Sequence, residues 1–218
     1  MEGPEIVRRS LDLLYQTGDV VEVRILNTKR GTVSGYFDDM GRLAEAAASW
    51  SGRAPAVYTT LNPVARDLLA RAANRLREFA RETTTDDQIV RRRWLPLDFD
   101  PVRPSGISAT DVEKEAAFAR ARECLGFLDE RGWPAPLFGD SGNGAHLLYP
   151  IDLENDEPSR DLARRVLAAL AFRFDDHLVK LDQTTYNAAR IWKLYGTMAC
   201  KGDDVPERPH RLAELLTL

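Results

Sequence analysis

The amino-acid sequence predicts an α+β fold in two parts, and three observations carry that prediction. Short stretches of alternating apolar and polar residues, the mark of half-buried strands, recur along the chain. Between them lie stretches with helical spacing and recognisable start signals. In the second part, strands and helices follow the order β-α-β-β-α-β, which builds one antiparallel sheet with helices on one side. Residues 1–90 make a smaller N-terminal α/β subdomain and residues 91–218 the larger part, together expected to form one integrated domain.

Residues 1–18 read as a short helix or arm. Asp19 to Leu26 (DVVEVRIL) alternates like a strand, and Thr32 to Phe37 (TVSGYF) follows as a second. Asp38 or Asp39 is placed to cap a helix running through Leu43 and Ala48. Ala56 to Leu61 (AVYTTL) is a third strand. Asn62-Pro63 then predicts a helix from Val64 to about Arg81, because proline suits a first helical turn. The polar run RETTTDDQ, Arg81 to Gln88, is a connector.

The second part opens with a strand, Trp94–Asp100. Thr110–Glu113 (TDVE) is a capping box, so a helix starts there and runs to about Arg131. Ala135–Gly139 is a short strand, DSGNGA a tight glycine turn and His146–Ile151 the next strand. Pro158-Ser159 opens a helix with Leu162, Val166, Leu167 and Leu170 at helical spacing. Leu178–Asp182 (LVKLD) is the last strand. The order is the split βαβ of ferredoxin-like and RNA-recognition-like sheets.

The chain has 218 residues, 44% hydrophobic and 29% charged, with a formal net charge of −4. That excludes a globally basic nucleic-acid binder, so any such binding must come from local patches. Arg91, Arg92 and Arg93 are one candidate patch for nucleic acid; a solvated run beside a strand is the other reading. Cys124 and Cys200 form neither a zinc pattern nor a disulfide framework, which fits a reducing cytoplasm. No signal peptide and no apolar run of membrane-spanning length is visible, so no membrane partner is expected.

The stretch from Arg91 to Gly106 (RRRWLPLDFDPVRPSG) holds the most specific chemistry. Asp98 and Asp100 sit two residues apart on a strand and so share a face, while Leu97 and Phe99 share the other. Two unit charges about 4 Å apart repel by roughly 4 kcal/mol at an effective dielectric near 20. Such a pair is solvated, shares a proton, or binds a cation; a strand end running into an Asp-Pro turn is the plainer reading. The usual strand order of the split βαβ sheet sets the third and fourth strands on either side of the first. His146, at the start of the third, then lies beside the acids. Asp182 joins them only if the fourth strand is short or begins late.

Two further stretches bear on the same place. SGNGAH puts Ser141, Gly142 and Gly144 ahead of His146, either as an anion-binding nest of backbone N–H groups or as a plain hairpin turn. Asn187 to Gly202 (NAARIWKLYGTMACKG) adds Arg190, Lys193 and Lys201, cations of the kind a triphosphate requires, or solvated charges at strand ends. Trp192 and Tyr195 suit stacking on a base or, more simply, core packing. His177 and His210 read as surface residues.

Taken in order, LPLDFDPVRPSG, SGNGAH and VKLDQTTYNAARIWKLYGT…KG resemble the three motifs of the archaeo-eukaryotic primase superfamily. The resemblance is to its primase-polymerase catalytic domain, as in phage, plasmid and CRISPR-associated proteins. It spans roughly residues 20–210 and includes VYTTLNPV, Val57 to Val64. The zinc-stem ligands of cellular primases are missing. The resemblance implies an RNA-recognition-like palm sheet and metal-dependent addition of nucleoside triphosphates to a primer 3′-OH on a DNA template. It implies that Asp98, Asp100 and Asp182 hold two Mg²⁺ or Mn²⁺ ions and that Ser141, Gly142, Gly144, His146, Arg190, Lys193 and Lys201 bind the dNTP or NTP. The family's C-terminal priming module has no room before Leu218, so further C-terminal domains, a priming module and a helicase among them, are expected in a longer native protein.

Two other functions fit parts of the pattern. A glycosyltransferase could use the D-x-D pair to hold a nucleotide-sugar, although SGNGAH would then have no role. A replication-associated nucleic-acid-binding module without catalysis would have no use for all three acids.

Overall fold

A four-stranded and a five-stranded antiparallel sheet, with a two-stranded ribbon, form the frame of the computed structural model, which describes residues 3–216. The residues at the two ends of the sequence-defined parts, 1–2 and 217–218, lie outside it. The chain starts with α1 (Gly3–Leu14), which leads into the hairpin β1 (Val21–Thr28) and β2 (Gly31–Phe37). Of the two capping candidates, Asp39 starts α2 (Met40–Trp50): its side chain accepts from the N–H groups of Gly41 and Arg42. β3 (Val57–Thr60) pairs antiparallel with β1.

The helix expected over residues 64–81 is absent. A 3₁₀ turn at Arg66–Arg71 is followed by extended chain that lies along the open edge of β2. Ser34 and Arg77 exchange both backbone hydrogen bonds, and Tyr36 bonds to Ala72 and Asn74. A Cβ on Gly35 would lie 2.0 Å from the carbonyl oxygen of Arg75, so only glycine allows this approach. The unpaired donors and acceptors of a sheet edge outcompete the helix propensity of RDLLARAANRLREFAR. Asn62, expected beside a helix start, instead accepts from Arg93 N–H and donates to the Ala188 carbonyl, tying the two parts together.

The second sheet follows the sequence reading closely. β4 (Arg91–Pro101) precedes α3 (Asp111–Asp129), whose Thr110–Glu113 capping box is formed. β5 (Leu137–Asp140) and β6 (Ala145–Glu154) make a hairpin. Asp156 caps α4 (Glu157–Phe174), and β7 (Val179–Leu181) is only three residues long. β6 and β7 flank β4, both antiparallel to it, as the split βαβ order requires.

Four short strands follow that the sequence did not signal. β8 (Ile191–Lys193) crosses to the first sheet and pairs with β3. β9 (Met198–Ala199) pairs with β10 (Arg211–Leu212), and β11 (Glu214–Leu216) returns to the second sheet beside β5. The sheets therefore run β2-β1-β3-β8 and β11-β5-β6-β4-β7.

Strand alternation decides what lies between them. Leu95, Leu97 and Phe99 of β4 point to the core under α3 and α4, with Ala121, Leu147 and Leu167. Asp98 and Asp100 take the opposite face, on which Trp94 reaches the end of α1 by donating to the Leu14 carbonyl and the first sheet lines the cavity with the acids. Leu148 of β6 belongs to the other core, with Trp192, Leu194 and Tyr195 and the helices α1 and α2. The acid-bearing face is the seam between the two sheets.

Candidate active site

Asp98 stands directly opposite His146 in the β4–β6 register. Asp182 follows the short β7, and its N–H donates to the Asp98 carbonyl at 2.9 Å. The brevity of that strand is what brings the third acid alongside the other two. All three aspartates line one cavity of about 350 Å³, with Ser141, His146, Arg190, Lys193 and Lys201. Eight residues singled out in three separate stretches of sequence thus converge.

Gly142 and Gly144 serve the turn itself. A Cβ on Gly144 would lie 2.3 Å from the Phe99 carbonyl oxygen and 3.3 Å from Asp100 Oδ1, so the turn can rest on β4 only as glycine. Gly142 has a left-handed φ of +89° and packs against Ala199. The amides of this turn are already engaged: Gly142 N–H donates to Asp140 Oδ1, and the N–H groups of Asn143 and Gly144 donate to Ser141 Oγ. An anion nest is not open here, because the turn closes on its own carboxylate and hydroxyl.

Arg91, Arg92 and Arg93 do not reach the cavity. Alternation along β4 sends them to different sides, and each finds a partner. Arg91 pairs with Asp152 and Glu154 across the strand, Arg92 is buried and donates to the Tyr186 carbonyl, and Arg93 pairs with Asp19.

His146 is held from behind by two aromatic residues. The Trp192 indole N–H donates to Tyr195 Oη at 3.0 Å, and Tyr195 Oη lies 2.9 Å from His146 Nδ1. Indole is a donor only, so the Tyr195 oxygen accepts from it and has its own proton to give. His146 Nδ1 is the acceptor within reach. That leaves the proton of a neutral imidazole on Nε2, which faces Asp98 Oδ1 at 3.4 Å. Core packing is the role of Trp192 and Tyr195, as the simpler sequence reading had it, since both are buried. The hydrogen bond of Tyr195 to the histidine, backed by that of Trp192 to Tyr195, is an addition that the sequence did not signal.

The two strand acids are electrostatically unequal. Burial works to raise the Asp98 carboxyl, but His146, by its charge when protonated and by the Nε2–H it presents in either form, then Lys201 and Arg190, outweigh it and hold it below the ordinary value. Burial and then the charge of Asp98 push Asp100 above the ordinary value, against Lys201 and Arg103. Asp100 keeps much of its side-chain surface open, but that surface faces a half-open cavity that it shares with Asp98, where surrounding protein lowers the hydration of the charged form. Burial also pushes the Lys193 ammonium down to about 7. Its Nζ donates to Thr197 Oγ1 and the Met198 carbonyl.

The fit to a divalent cation rests on Asp98. Its Oδ1 is buried and makes no well-formed hydrogen bond among the described residues, the nearest donor being His146 Nε2 at 3.4 Å, and a bound cation would satisfy it. Asp182 is otherwise occupied: Arg190 pairs with one oxygen, and Thr184 donates to the other through N–H and hydroxyl. Among the described residues no three His, Cys, Asp or Glu side chains enclose a metal position. Two carboxylates plus ligand phosphates and water suffice for Mg²⁺, which seldom takes an all-protein cage. The donor set fits a hard cation.

Tyr58 and Asn143 also line the cavity, and the sequence reading gave neither a role. Tyr58 alternates with the buried Val57 and Thr59 on β3, and that alternation was the available signal. Burial, then Asp98 and Asp100, raise its phenol above the ordinary value. Asn143 is buried, and its Oδ1 accepts from Ala109 N–H.

Fold and cavity together define a mixed α+β protein with paired carboxylates opposed by cations at the seam of two antiparallel sheets. The fold is similar to that of a solved structure, the polymerase domain from Mycobacterium tuberculosis Ligase D in complex with DNA. The match has a TM-score of 0.51 and 14% sequence identity, covering 95% of this chain and 79% of that one. No family model matches the chain, and neither does any curated protein. Among the described residues no helix is long and apolar enough to cross a membrane.

Proposed function

We propose that the chain is a metal-dependent nucleotidyltransferase of the primase-polymerase kind, adding nucleoside triphosphates to the 3′-OH of a primer on a DNA template. The observation that carries this reading is the cavity itself. Three aspartates, a histidine with an N–H facing inward, and the side chains of Arg190, Lys193 and Lys201 share one space of about 350 Å³. A nucleotide triphosphate needs both signs of charge in this way: cations for its phosphates and acids for the cation it carries.

In this reading Asp98 and Asp100 hold Mg²⁺ or Mn²⁺, with Asp182 joining when it leaves Arg190. When bound, the cation supplies charge neutralisation and activation of the acceptor hydroxyl. The remaining roles fall to the chain. His146 donates from Nε2 to a phosphate oxygen, oriented by Tyr195. Arg190 and Lys201 neutralise the triphosphate, and Lys193, with its lowered pKa, contributes a hydrogen bond as much as a charge. Ser141 keeps the glycine turn closed against β4 and thereby sets the cavity wall.

The test is extension of a primed single-stranded template with labelled nucleotides and Mn²⁺, dNTPs and NTPs in separate arms. Template-dependent extension by the wild type, lost in Asp98→Asn, supports the reading. Extension that survives in Asp98→Asn, or a wild type that adds nothing while binding nucleotide, overturns it.

A further inference from the structure

The arginine triplet read from the sequence as a nucleic-acid patch is spent on internal pairs, which leaves open where a polynucleotide would lie. The cavities supply a path. The carboxylate cavity shares Pro55, Tyr58, Asp100 and Lys201 with a neighbouring hollow of about 530 Å³, which also takes in Arg103 and reaches Asn27 at the far end. Asn27 is in turn part of a groove of about 640 Å³ on the first sheet, lined also by Lys29, Arg30, Trp50, Arg53 and Glu78. The three spaces adjoin at these shared residues, the second and third at Asn27 alone.

The far groove is built for a phosphodiester chain. Three cations face one acid in a protein whose net charge is −4. Arg30 pairs with Glu78, whereas Lys29 and Arg53 are exposed and have no hydrogen-bond or ion-pair partner among the described residues. Trp50, at the end of α2, is partly open and packs its inner side on the first core. An aromatic ring among unpaired cations is the combination that holds single strands: the cations follow the phosphates and the ring stacks on a base, whatever its identity. Nucleoside phosphates alone would not need a groove this far from the carboxylates.

We infer that the groove bearing Lys29, Trp50 and Arg53 binds single-stranded polynucleotide and leads it past Asn27 and Tyr58 to the carboxylate cavity. The assignment deepens the proposed function, because it supplies that cavity with its strand. Each phosphate contact on a single strand contributes about 0.7 to the slope of log affinity against log salt. Loss of two contacts therefore lowers the slope by about 1.4.

The experiment titrates short fluorescein-labelled oligothymidylate and oligouridylate by anisotropy over a range of salt, without nucleotide or metal. It compares wild type with Lys29→Gln/Arg53→Gln and, separately, with Trp50→Leu and Trp50→Phe. Lys29 and Arg53 are exposed, so the double variant leaves packing untouched. The expected result is binding by the wild type and a salt slope lower by about 1.4 in the double variant. Trp50→Leu should bind about five- to a hundredfold more weakly, with Trp50→Phe restoring part of the loss. Oligodeoxyuridylate, which has the base of the second probe and the sugar of the first, serves as a third probe from which the preferred sugar is read. Equal affinity and slope in wild type and double variant, or no binding by the wild type, overturns the inference. Primer extension by the same proteins separates the two readings. Strand binding lost in the double variant, with no extension by the wild type, leaves the groove standing and removes the activity. Extension by the wild type, with unchanged binding by the double variant, does the reverse.

Discussion

The bonds behind His146 can be tested without any substrate. Tyr195→Phe removes one hydroxyl that serves two buried partners, the Trp192 N–H at 3.0 Å and His146 Nδ1 at 2.9 Å. The three side chains are almost wholly buried, so water cannot easily replace the lost oxygen. Gly139 lies so close beneath the tyrosine ring that a Cβ there would be 2.4 Å from Oη, which leaves no slack for the ring to shift. A buried polar group left without a partner costs about 1–3 kcal/mol, and two are left here. Part of that is returned because the phenol no longer has to be desolvated. A net loss of about 2–4 kcal/mol follows, and for a chain of this size each kcal/mol lowers Tm by about 2–4 °C. Thermal unfolding followed by circular dichroism should therefore fall by roughly 5–15 °C. Proton–nitrogen correlation spectra of the imidazole should show the wild-type proton on Nε2 and a mixture of tautomers in the variant. A Tm unchanged within about 1 °C, or a wild-type imidazole protonated on Nδ1 alone, refutes the argument.

Three further outcomes follow from the cavity. Asp100→Asn should abolish nucleotide addition yet unfold no earlier than wild type. The folded carboxyl is raised, so the folded state binds more protons than the unfolded one above the ordinary pKa, and wild-type stability falls as pH rises through that window; denaturant titrations at acidic and neutral pH should show the variant gaining on wild type as pH rises. Lys193 has the opposite sign: its folded value of about 7 lies below the ordinary 10.5, so the unfolded state binds more protons between them and the wild type should gain on Lys193→Met from pH 7 to about 10. Arg190→Gln frees one oxygen of Asp182, so Mn²⁺ without nucleotide should raise the Tm of this variant more than that of wild type, and equal shifts would show that Arg190 does not compete for the acid.

What was legible in the sequence was local. The capping box at Thr110–Glu113, the proline near the start of α4 and the alternation of Leu97 and Phe99 with Asp98 and Asp100 each depend on residues a few positions apart, and each formed as read. The neighbours of β4 followed from the order of elements alone, and with them the pairing of Asp98 with His146. The failures were non-local. Residues 64–81 have the composition of a helix, but the open edge of β2 offers them hydrogen bonds that their own composition does not reveal. Arg91–Arg93 look like a patch when written in a row; on a strand they part, and their partners Asp19, Asp152 and Glu154 lie 61 to 74 residues away. The strands β8 and β11 are three residues each, too short to show a period, and exist because other strands await them.

Those short strands decide more than the chain's finish. β8 leaves the neighbourhood of Asp182 and enters the first sheet, carrying Arg190 at its approach and Trp192 and Lys193 within it. The segment after it supplies Tyr195 behind His146 and Lys201 beside Asp100. The acids belong to the second sheet, whereas much of the opposing positive charge arrives on chain that pairs with the first. The cavity therefore exists only while the sheets stay docked, and the docking is made by the buried side chains of Trp192, Leu194 and Tyr195 against Leu148. This explains why a polar relay is buried there at all. An apolar contact would hold the sheets equally well, but the chain of Trp192, Tyr195 and His146 also fixes which nitrogen faces the acids, so that the same contact joins the sheets and sets the chemistry of the cavity wall.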